Sequence, residues 1–330
     1  MNILITGIHG FVGSNLVAAL KNKHAIYGLD IVSPQKEGVL KTFGWNELDS
    51  LPSIEVIIHL AGKAHDTKNQ SNAQVYFDVN TRLTQKIYDW FVASDAAKFI
   101  FFSSVKAAAD KVVSDILTED VIPSPKGPYG ESKIAAENYI LSHESKGKIQ
   151  EVNLENQDHP LPTTNFPLKT TYILRPCMIH GPGNKGNLNL LYQVVKKGIP
   201  YPLGAFENRR SFTSIDNLTF VISELIDKNI PGEIYNVGDD ESLSTNELIA
   251  LMAKIMKKPK RIWKWNKTLI QICALVGTKL HFPLNNERLQ KLTENYVVSN
   301  VKLKKALNIE SMPVTANEGF QKTIKSFEKK

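Results

Sequence analysis

Short apolar runs alternate along the N-terminal half of the chain with segments of helical periodicity. The runs are typical of strands buried on both faces of a parallel sheet, and they are Ile3–Ile5, Ala25–Asp30, Ile54–Gly62 and Lys98–Ser104. Between them, Phe11–Leu20 and Val75–Trp90 carry apolar residues at the spacing of an amphipathic helix. Strands that alternate with helices in this way predict an α/β fold with a Rossmann-like, doubly wound parallel sheet.

The first apolar run leads directly into three glycines, Gly7, Gly10 and Gly13, at the start of the first predicted helix. The N–H groups and the dipole of a helix N-terminus attract a phosphate, and glycine lets the backbone turn tightly and approach the ligand. The spacing is G-x-x-G-x-x-G rather than G-x-G-x-x-G, so an ordinary tight turn is the alternative. The strand before it favours a dinucleotide site.

The second predicted strand ends at Asp30, at the distance of about 20 residues from the glycines where such folds bind the adenosine ribose. A carboxylate at this place accepts both ribose hydroxyls and repels a 2′-phosphate. No Lys or Arg follows it closely, which favours NAD over NADP. The alternative is an exposed aspartate that caps a turn.

A loop rich in Pro and Gly delivers Tyr129 and Lys133 to the start of a further predicted helix. Side chains four residues apart share one helix face, so the ammonium is expected to lower the pKa of the phenol and make it a better base. Most isolated pairs of this kind are solvated. This pair follows a strand that ends in Ser103 and Ser104, which favours a catalytic site. The polar segment Ser142–Thr170 predicts a surface loop.

Composition narrows the function classes. A chain of 330 residues with 42% hydrophobic and 22% charged residues is ordinary for one large or two modest soluble domains. The net charge of +7 is spread along the chain, which suits a phosphorylated ligand and argues against nucleic acid. Two cysteines without metal-ligand spacing indicate a reducing compartment and no metal site. Because Met1 leads straight into a strand, no signal peptide is expected, and we predict a cytoplasmic protein.

One basic aromatic segment, Arg261–Lys267, precedes an apolar run that extends from Leu269 to Gly277. The run is too short to span a bilayer, so no integral membrane segment is expected. We interpret it as a helix packed on the core, and a helix that lies on a membrane surface is the alternative.

In chain order, these motifs resemble the extended short-chain dehydrogenases/reductases of the nucleotide-sugar epimerase/dehydratase family. The matching motifs are Thr6–Gly13, Asp30, His59–Gly62, Val79–Asn80 with Thr84, Ser103–Ser104, Tyr129 with Lys133, Leu174–Pro176, Gly181–Gly183, Arg210–Thr213 with Asp216, and Tyr235–Gly238. The resemblance implies an NAD-binding domain over residues 1–176, against which 212–226 and 234–238 pack. It further implies a smaller, partly discontinuous substrate-binding lobe over residues 177–330.

The resemblance also implies residue roles, with NAD as the cofactor. Tyr129 would be the general base, Lys133 would hold the nicotinamide ribose, Ser104 would bind the sugar oxygen, and Asn80 would order the backbone of the site. The implied cofactor-binding residues are Gly7, Gly10, Phe11, Val12, Gly13, Asp30, Leu60, Ala61, Gly62, Asn80, Tyr129, Lys133 and Pro176. The implied substrate-binding residues are Ser104, Lys106, Met178, Asn187, Arg210 and Arg288, although a surface arginine is the alternative for the last.

Two departures from the family pattern narrow the expected reaction. Val105 and Lys106 stand where related 4,6-dehydratases carry an Asp-Glu pair, which argues against dehydration, and Met178 replaces an asparagine that is usual in the family. We therefore predict NAD-dependent C4 epimerisation of a UDP-hexose or UDP-N-acetylhexosamine for cell-surface polysaccharide synthesis. The alternatives are an NAD(P)H-dependent reductase of a UDP-4-keto-6-deoxy-(N-acetyl)hexose and a non-catalytic NAD(P)-binding regulatory module. Because many relatives dimerise, a homodimer is also expected.

Overall fold

The chain divides into two compact units. The computed structural model describes residues 1–63, 72–155, 169–184, 187–280 and 285–328, with the backbone alone for 145–155, 187, 287, 288 and 291. The first unit comprises Met1–Asp110, Glu119–Pro176 and Val221–Asn236. The second unit comprises Lys111–Thr118, Cys177–Phe220 and Val237–Lys330.

Strands and helices alternate through the first unit, whereas helices predominate in the second. The strands are β1 (Asn2–Thr6), β2 (Ala25–Leu29), β3 (Lys41–Phe43), β4 (Val56–His59), β5 (Lys98–Phe102), β6 (Thr170–Pro176), β7 (Met178–His180), β8 (Phe212–Ser214) and β9 (Ile234–Val237). The α-helices are α1 (Phe11–Leu20), α2 (Ala73–Phe77), α3 (Leu83–Ala93), α4 (Val105–Ala108), α5 (Pro128–Glu155), α6 (Asn187–Lys196), α7 (Ile215–Asp227), α8 (Thr245–Ile255), α9 (Lys267–Leu280), α10 (Asn286–Thr293), α11 (Val301–Leu307) and α12 (Ala316–Glu328). Leu48–Ser50 forms a 3₁₀ turn, and Asp78–Arg82 forms a π-helical turn.

A seven-stranded sheet in the order β3-β2-β1-β4-β5-β6-β9 organises the first unit. The pairings from β3 to β6 are parallel, with Ile3 of β1 beside Ile26 on one side and Val56 on the other. The order reverses direction at β1, which makes the carboxyl end of this strand a topological switch point where such sheets bind ligands. The predicted Rossmann-like, doubly wound parallel sheet is confirmed.

The core of the first unit forms because its strands are apolar on both faces. Leu4, Ile57, Phe99, Phe101 and Ile173 belong to one buried cluster, into which helices α3 and α5 also pack. Parallel strands covered by helices on both faces have this composition. The continuous apolar runs of the sequence therefore correspond to buried central strands.

The predicted helix over Val75–Trp90 is interrupted by its π-helical turn. Such a turn inserts an extra residue into the helix and frequently occurs at functional sites. It contains Asn80, which is fully buried. Thr84, one helical turn after Asn80, donates a 2.7 Å hydrogen bond from its Oγ1 to the Asn80 carbonyl oxygen. The turn therefore directs a polar side chain into the interior of the unit.

The prediction of a surface loop over Ser142–Thr170 is wrong for its first part. Helix α5 continues to Glu155, and Thr170 already belongs to β6, while residues 156–168 lie outside the described residues. Between Ser142 and Glu155 the chain contains no proline and is rich in Glu, Lys and Gln, which favour helix. The polarity of this stretch was therefore compatible with a helix.

In the second unit, β7 pairs in parallel with β8, and helices α6, α8 and α12 contribute to a separate core that includes Tyr192, Phe212, Met252 and Phe320.

The segment 212–226, which we expected to pack with the cofactor domain, is divided between the two compact units. Its first part belongs to the second unit because β8 pairs with β7, and residues from Val221 onwards belong to the first. In the described part of the chain, no helix combines the length and hydropathy needed to cross a membrane.

Candidate active site

The glycine turn between β1 and α1 forms a cradle of bare backbone. Gly7 has a φ of +67°, and a Cβ there would lie 3.0 Å from the backbone of Ala61. A Cβ on Gly13 would lie 2.7 Å from the Gly7 carbonyl oxygen and 2.8 Å from Ile8 Cα. Neither position has room for a side chain. The first N–H groups of α1, like those of any α-helix, have no partner within the helix. Gly10 is the N-cap and has no side chain to accept a hydrogen bond from them.

These residues fit the pyrophosphate and ribose of a dinucleotide. The cradle presents N–H groups and the positive end of a helix dipole, which suit a phosphate. His9 Nε2, inside the turn, is buried without a hydrogen-bond partner among the described residues. At the end of β2, Asp30 Oδ2 accepts a 3.0 Å hydrogen bond from His9 N, and Oδ1 accepts one of 2.7 Å from Ile31 N. The Asp30 carboxylate is thus hydrogen-bonded to the glycine turn, beside which it was predicted to bind the adenosine ribose.

A cation that the sequence reasoning missed also lies in this region. Lys36 Nζ donates a 2.7 Å hydrogen bond to Ser14 Oγ on α1. Burial lowers the pKa of Lys36, and the negative charge of Asp30 acts in the opposite direction. The spacing along the chain gives no signal for Lys36, because the loop after Asp30 is what brings it back to α1.

Behind the cradle, a chain of buried hydrogen bonds connects β1 with the π-helical turn. Thr6 Oγ1 lies 2.7 Å from His59 Nδ1, and His59 Nε2 lies 2.9 Å from Thr84 Oγ1. Thr6 Oγ1 also accepts a 2.9 Å hydrogen bond from Ala61 N. Burial, aided by the charge of Lys133, lowers the pKa of His59 to about 3. His59 is therefore neutral near pH 7, and Thr6, to which it is hydrogen-bonded, fixes the backbone at Ala61.

Asn80 joins the loop after β4 to the helix that carries the predicted catalytic pair. Its Oδ1 accepts a 2.7 Å hydrogen bond from Lys63 N, and its Nδ2 donates to Lys63 O at 3.2 Å. Nδ2 also donates to Ser132 Oγ at 2.9 Å. A buried amide with these partners orders backbone on two elements at once, which suits the role predicted for it.

Ser104 and Tyr129 come together at the end of β5. Ser104 is the N-cap of α4, and its Oγ accepts a 3.2 Å hydrogen bond from Lys106 N. The Ser104 side chain also hydrogen-bonds the phenol of Tyr129, whose ring packs edge-on against Tyr76 at a centroid distance of 6.4 Å. Burial raises the pKa of Tyr129, while the hydrogen bond with Ser104 lowers it.

Lys133 lies one turn after Tyr129 on α5 and is buried. Its Nζ donates a 2.7 Å hydrogen bond to Phe102 O and lies 5.1 Å from the centroid of the Phe101 ring. Burial lowers its pKa to about 8, although the charge of Glu137 raises it. The ammonium donates to the end of β5, and at the phenol of Tyr129 the effect of burial is opposed by the hydrogen bond with Ser104. That Lys133 lowers the pKa of Tyr129 stays a prediction.

A buried ion pair supports this helix and was not predicted. Glu137, four residues after Lys133, accepts hydrogen bonds from Arg175 Nε at 3.0 Å and from Arg175 Nη2 at 2.5 Å. Glu137 and Arg175 are 0% and 2% exposed, so the pair is removed from water. The Ser103 hydroxyl also donates to Glu137. The spacing Tyr-x-x-x-Lys-x-x-x-Glu is the sequence signal that would have placed this carboxylate on the same helix face.

Two further predicted residues lie in the first unit. Lys106 Nζ donates a 2.6 Å hydrogen bond to Asp110 O, one turn along the chain. Val105, beside it, is buried. Neither Val105 nor Lys106 supplies a carboxylate at the positions where a dehydratase carries its acidic pair. Pro176 is the last residue of β6 and is buried.

The remaining predicted substrate residues lie in the second unit. Met178 begins β7 and is 38% exposed. Arg210 Nη2 lies 3.3 Å from Glu294 Oε1, and burial lowers the pKa of the guanidinium. Asn187 is the first residue of α6 and Arg288 lies within α10, but both side chains fall outside the described residues.

The chain is similar to known proteins over most of its length. The model of the NAD dependent epimerase/dehydratase family matches residues 3–238. UDP-glucose 4-epimerase of Vibrio cholerae is 29% identical over 340 residues, covering 99% of this chain and 95% of that protein. The N-acetyl-alpha-D-glucosaminyl-diphospho-ditrans,octacis-undecaprenol 4-epimerase of Escherichia coli O157:H7 is 25% identical, covering 98% and 94%. UDP-glucuronic acid 4-epimerase from Bacillus cereus, solved with NAD, shares the fold with a TM-score of 0.71 at 22% identity, covering 100% and 99%.

Proposed function

The chain belongs to the NAD dependent epimerase/dehydratase family, and we propose that it catalyses C4 epimerisation of a UDP-hexose or UDP-N-acetylhexosamine. Both relatives named above from Vibrio cholerae and Escherichia coli are 4-epimerases, and they align with almost the whole chain. The N-acetylhexosamine carried on a lipid diphosphate in the second name supports a role in precursors of cell-surface polysaccharides.

The observation that carries the proposal is the hydrogen-bonded pair Ser104–Tyr129 at the carboxyl end of β5, with Lys133 buried one turn further along α5. A serine and a tyrosine joined in this way present two hydroxyl groups to one oxygen of a substrate. Val105 and Lys106, which follow Ser104, provide no carboxylate to remove a proton from C5. The pair therefore supports redox chemistry at C4 without loss of water.

Each side chain has a defined task in this proposal. Tyr129, as the phenolate, removes the proton of the 4-hydroxyl, and Ser104 donates a hydrogen bond to the same oxygen. The glycine cradle, Asp30 and Lys133 would hold the NAD. A bound NAD would supply the hydride acceptor for C4 and the source of the hydride that returns to the other face of the sugar. Tyr129 gives its proton back to the 4-oxygen at that stage, so no net reductant is consumed.

Incubation of the purified protein with UDP-GlcNAc or UDP-glucose, without added reductant, tests the proposal. We expect the 4-epimer to form until equilibrium is reached, as followed by proton NMR. Tyr129→Phe is expected to lower kcat by about 10²–10⁴-fold, the usual contribution of a positioned acid–base group. Tyr139→Phe is the matched control, because this tyrosine is on the same helix and its hydroxyl bonds Asp89 at 2.6 Å.

The pH profile adds a test of Ser104 that separates catalysis from folding. Since the hydrogen bond with Ser104 lowers the pKa of Tyr129, Ser104→Ala is expected to move the rise of kcat/KM to higher pH. If no epimer forms while a UDP-4-keto-6-deoxy sugar is reduced with loss of NADH absorbance, the protein is a reductase instead. If neither substrate is turned over but NAD still binds, a non-catalytic module replaces both enzymatic proposals.

A further inference from the structure

Helix α9 presents apolar residues on two different faces. Ile270, Ala274 and Gly277, spaced four and three residues apart, are buried. Ile270 and Ala274 form a small core with Leu203 and Leu289. A second stripe at the spacing of one helix face consists of Leu269, Ile272, Val276 and Leu280, and these are 52%, 51%, 45% and 58% exposed. The interpretation of α9 as a helix packed on the core therefore accounts for only one of its apolar faces.

Two exposed tryptophans precede this helix. Trp263 and Trp265 are 50% and 47% exposed, although large aromatic side chains are usually covered. Their rings stack with a centroid distance of 6.2 Å and an interplanar angle of 17°. Because alternate residues of an extended segment point to the same side, the two rings form one aromatic platform. Trp side chains of this kind favour the interface between water and a lipid bilayer.

The charge of this segment has one sign. Residues 257–280 contain no Asp or Glu, and their basic residues are Lys257, Lys258, Lys260, Arg261, Lys264, Lys267 and Lys279. Among the residues that the structure describes, none of these cations forms an ion pair with a carboxylate; Arg261 Nη1 bonds Gly198 O at 2.9 Å, and Lys258 Nζ bonds Lys196 O at 2.7 Å. The described part of the second unit therefore supplies no ion-pair partner for the charges of this surface.

We propose that residues 257–280 form a surface that docks on an anionic phospholipid bilayer, with the tryptophan pair and the exposed stripe of α9 entering the headgroup region and the lysines contacting lipid phosphates. This combination of an apolar helix face, flanking tryptophans and basic residues is the pattern of an interfacial helix. A two-fold contact between two copies would bring identical basic sets together, so charge complementarity favours a negatively charged lipid surface over a second copy of the chain.

Docking of this kind concerns where the enzyme works and does not depend on which reaction it catalyses. The proposal therefore stands apart from the epimerase assignment, and a failure of either leaves the other intact. It also requires no segment that crosses the membrane, since the helix lies in the plane of the surface.

Flotation of the full-length protein with vesicles tests the inference. We expect the protein to float with vesicles of phosphatidylcholine containing phosphatidylglycerol and to remain at the bottom with phosphatidylcholine alone. High salt should weaken binding without abolishing it, because salt screens the lysines but not apolar insertion. Tryptophan emission should shift to shorter wavelength on binding, and brominated lipids should quench it.

Variants assign the effect to this surface. Trp263→Ser with Trp265→Ser, and separately Val276→Gln, are expected to weaken vesicle binding by about tenfold or more, because insertion depends on buried apolar area. Val301→Gln is the matched control, since Val301 is also an exposed helical valine, at 64%. Thermal unfolding and NAD binding are measured for every variant, to show that folding is intact.

Three results would overturn the proposal. The first is an absence of wild-type binding to anionic vesicles at low salt. The second is equal binding by Val276→Gln, Val301→Gln and the wild type. The third is a wild-type oligomer, detected by light scattering, that dissociates in the tryptophan variant while vesicle binding is absent; this would assign the surface to a second copy of the chain.

Discussion

Glu137→Gln tests whether the buried ion pair behind the candidate active site stabilises the first unit. The substitution keeps the size of the side chain and removes its charge, so the guanidinium of Arg175 remains buried without a counter-ion. Arg175 is 2% exposed and bonds both carboxylate oxygens. Removing one partner of a buried pair costs about 3–5 kcal/mol. We expect the free energy of unfolding of the first unit to fall by that amount.

Glu131→Gln is the matched control for this prediction. Glu131 lies on the same helix, is exposed, and accepts a 3.0 Å hydrogen bond from Gly127 N. Its replacement is expected to cost no more than about 1 kcal/mol, since exposed charged groups contribute little. The comparison therefore isolates the effect of burial from the chemical change itself.

Urea unfolding followed by tryptophan fluorescence supplies the assay. Of the four tryptophans, Trp45 and Trp90 lie in the first unit, whereas Trp263 and Trp265 lie in the second. In a background that carries Trp263→Phe and Trp265→Phe, the signal therefore reports the first unit alone. A cost for Glu137→Gln equal to that of Glu131→Gln would refute the reasoning.

A double variant examines the cause. In Glu137→Leu with Arg175→Met both charges are absent, so no ion remains buried without a partner. Apolar replacements of a whole buried pair are often neutral or stabilising. We therefore expect the double variant to be more stable than Glu137→Leu alone, and a double variant as unstable as the sum of its single variants would contradict a direct coupling.

Three further predictions concern the cofactor cradle and its buried titratable groups. Gly13→Ala places a Cβ 2.7 Å from the Gly7 carbonyl oxygen. We expect the affinity for NAD, measured by calorimetry, to fall by more than about tenfold. The control Ala19→Ser, on the exposed side of α1, should leave the affinity unchanged. The Lys133 pKa is lowered from 10.5 to about 8, so the unfolded chain binds more protons than the folded protein between these pH values. The stability of the wild type relative to Lys133→Met should therefore increase by about 2 kcal/mol from about pH 8 to pH 10. A difference in unfolding free energy that stays constant with pH in urea titrations would contradict this. The His59 pKa is lowered from 6.5 to about 3, so the unfolded chain again binds more protons between these values. Acidification from about pH 6 to pH 4 should therefore lower the unfolding free energy of the wild type by about 2–3 kcal/mol more than that of His59→Asn. Parallel pH dependences of the two proteins in the same assay would contradict a neutral buried histidine.

The sequence alone determined the parts of the molecule that depend on local geometry. Continuous apolar runs identified the central strands, because strands covered on both faces must be apolar throughout. Gly7 and Gly13 were identified because a phosphate turn needs residues without side chains, and the structure leaves no room for a Cβ at either. Tyr129 and Lys133 were placed on one helix face by their spacing, which follows from the pitch of a helix.

Only the tertiary structure decided which groups the side chains meet. The Nζ of Lys133 bonds Phe102 O, which lies 31 positions away in the chain. Glu137 and Arg175 are separated by 38 positions, and Lys36 reaches Ser14 through a loop. The exposure of the second apolar face of α9 likewise depends on what packs against the helix. Periodicity reports the geometry of one element, whereas burial, ion pairing and pKa arise between elements, and these relations are set only when the chain has folded.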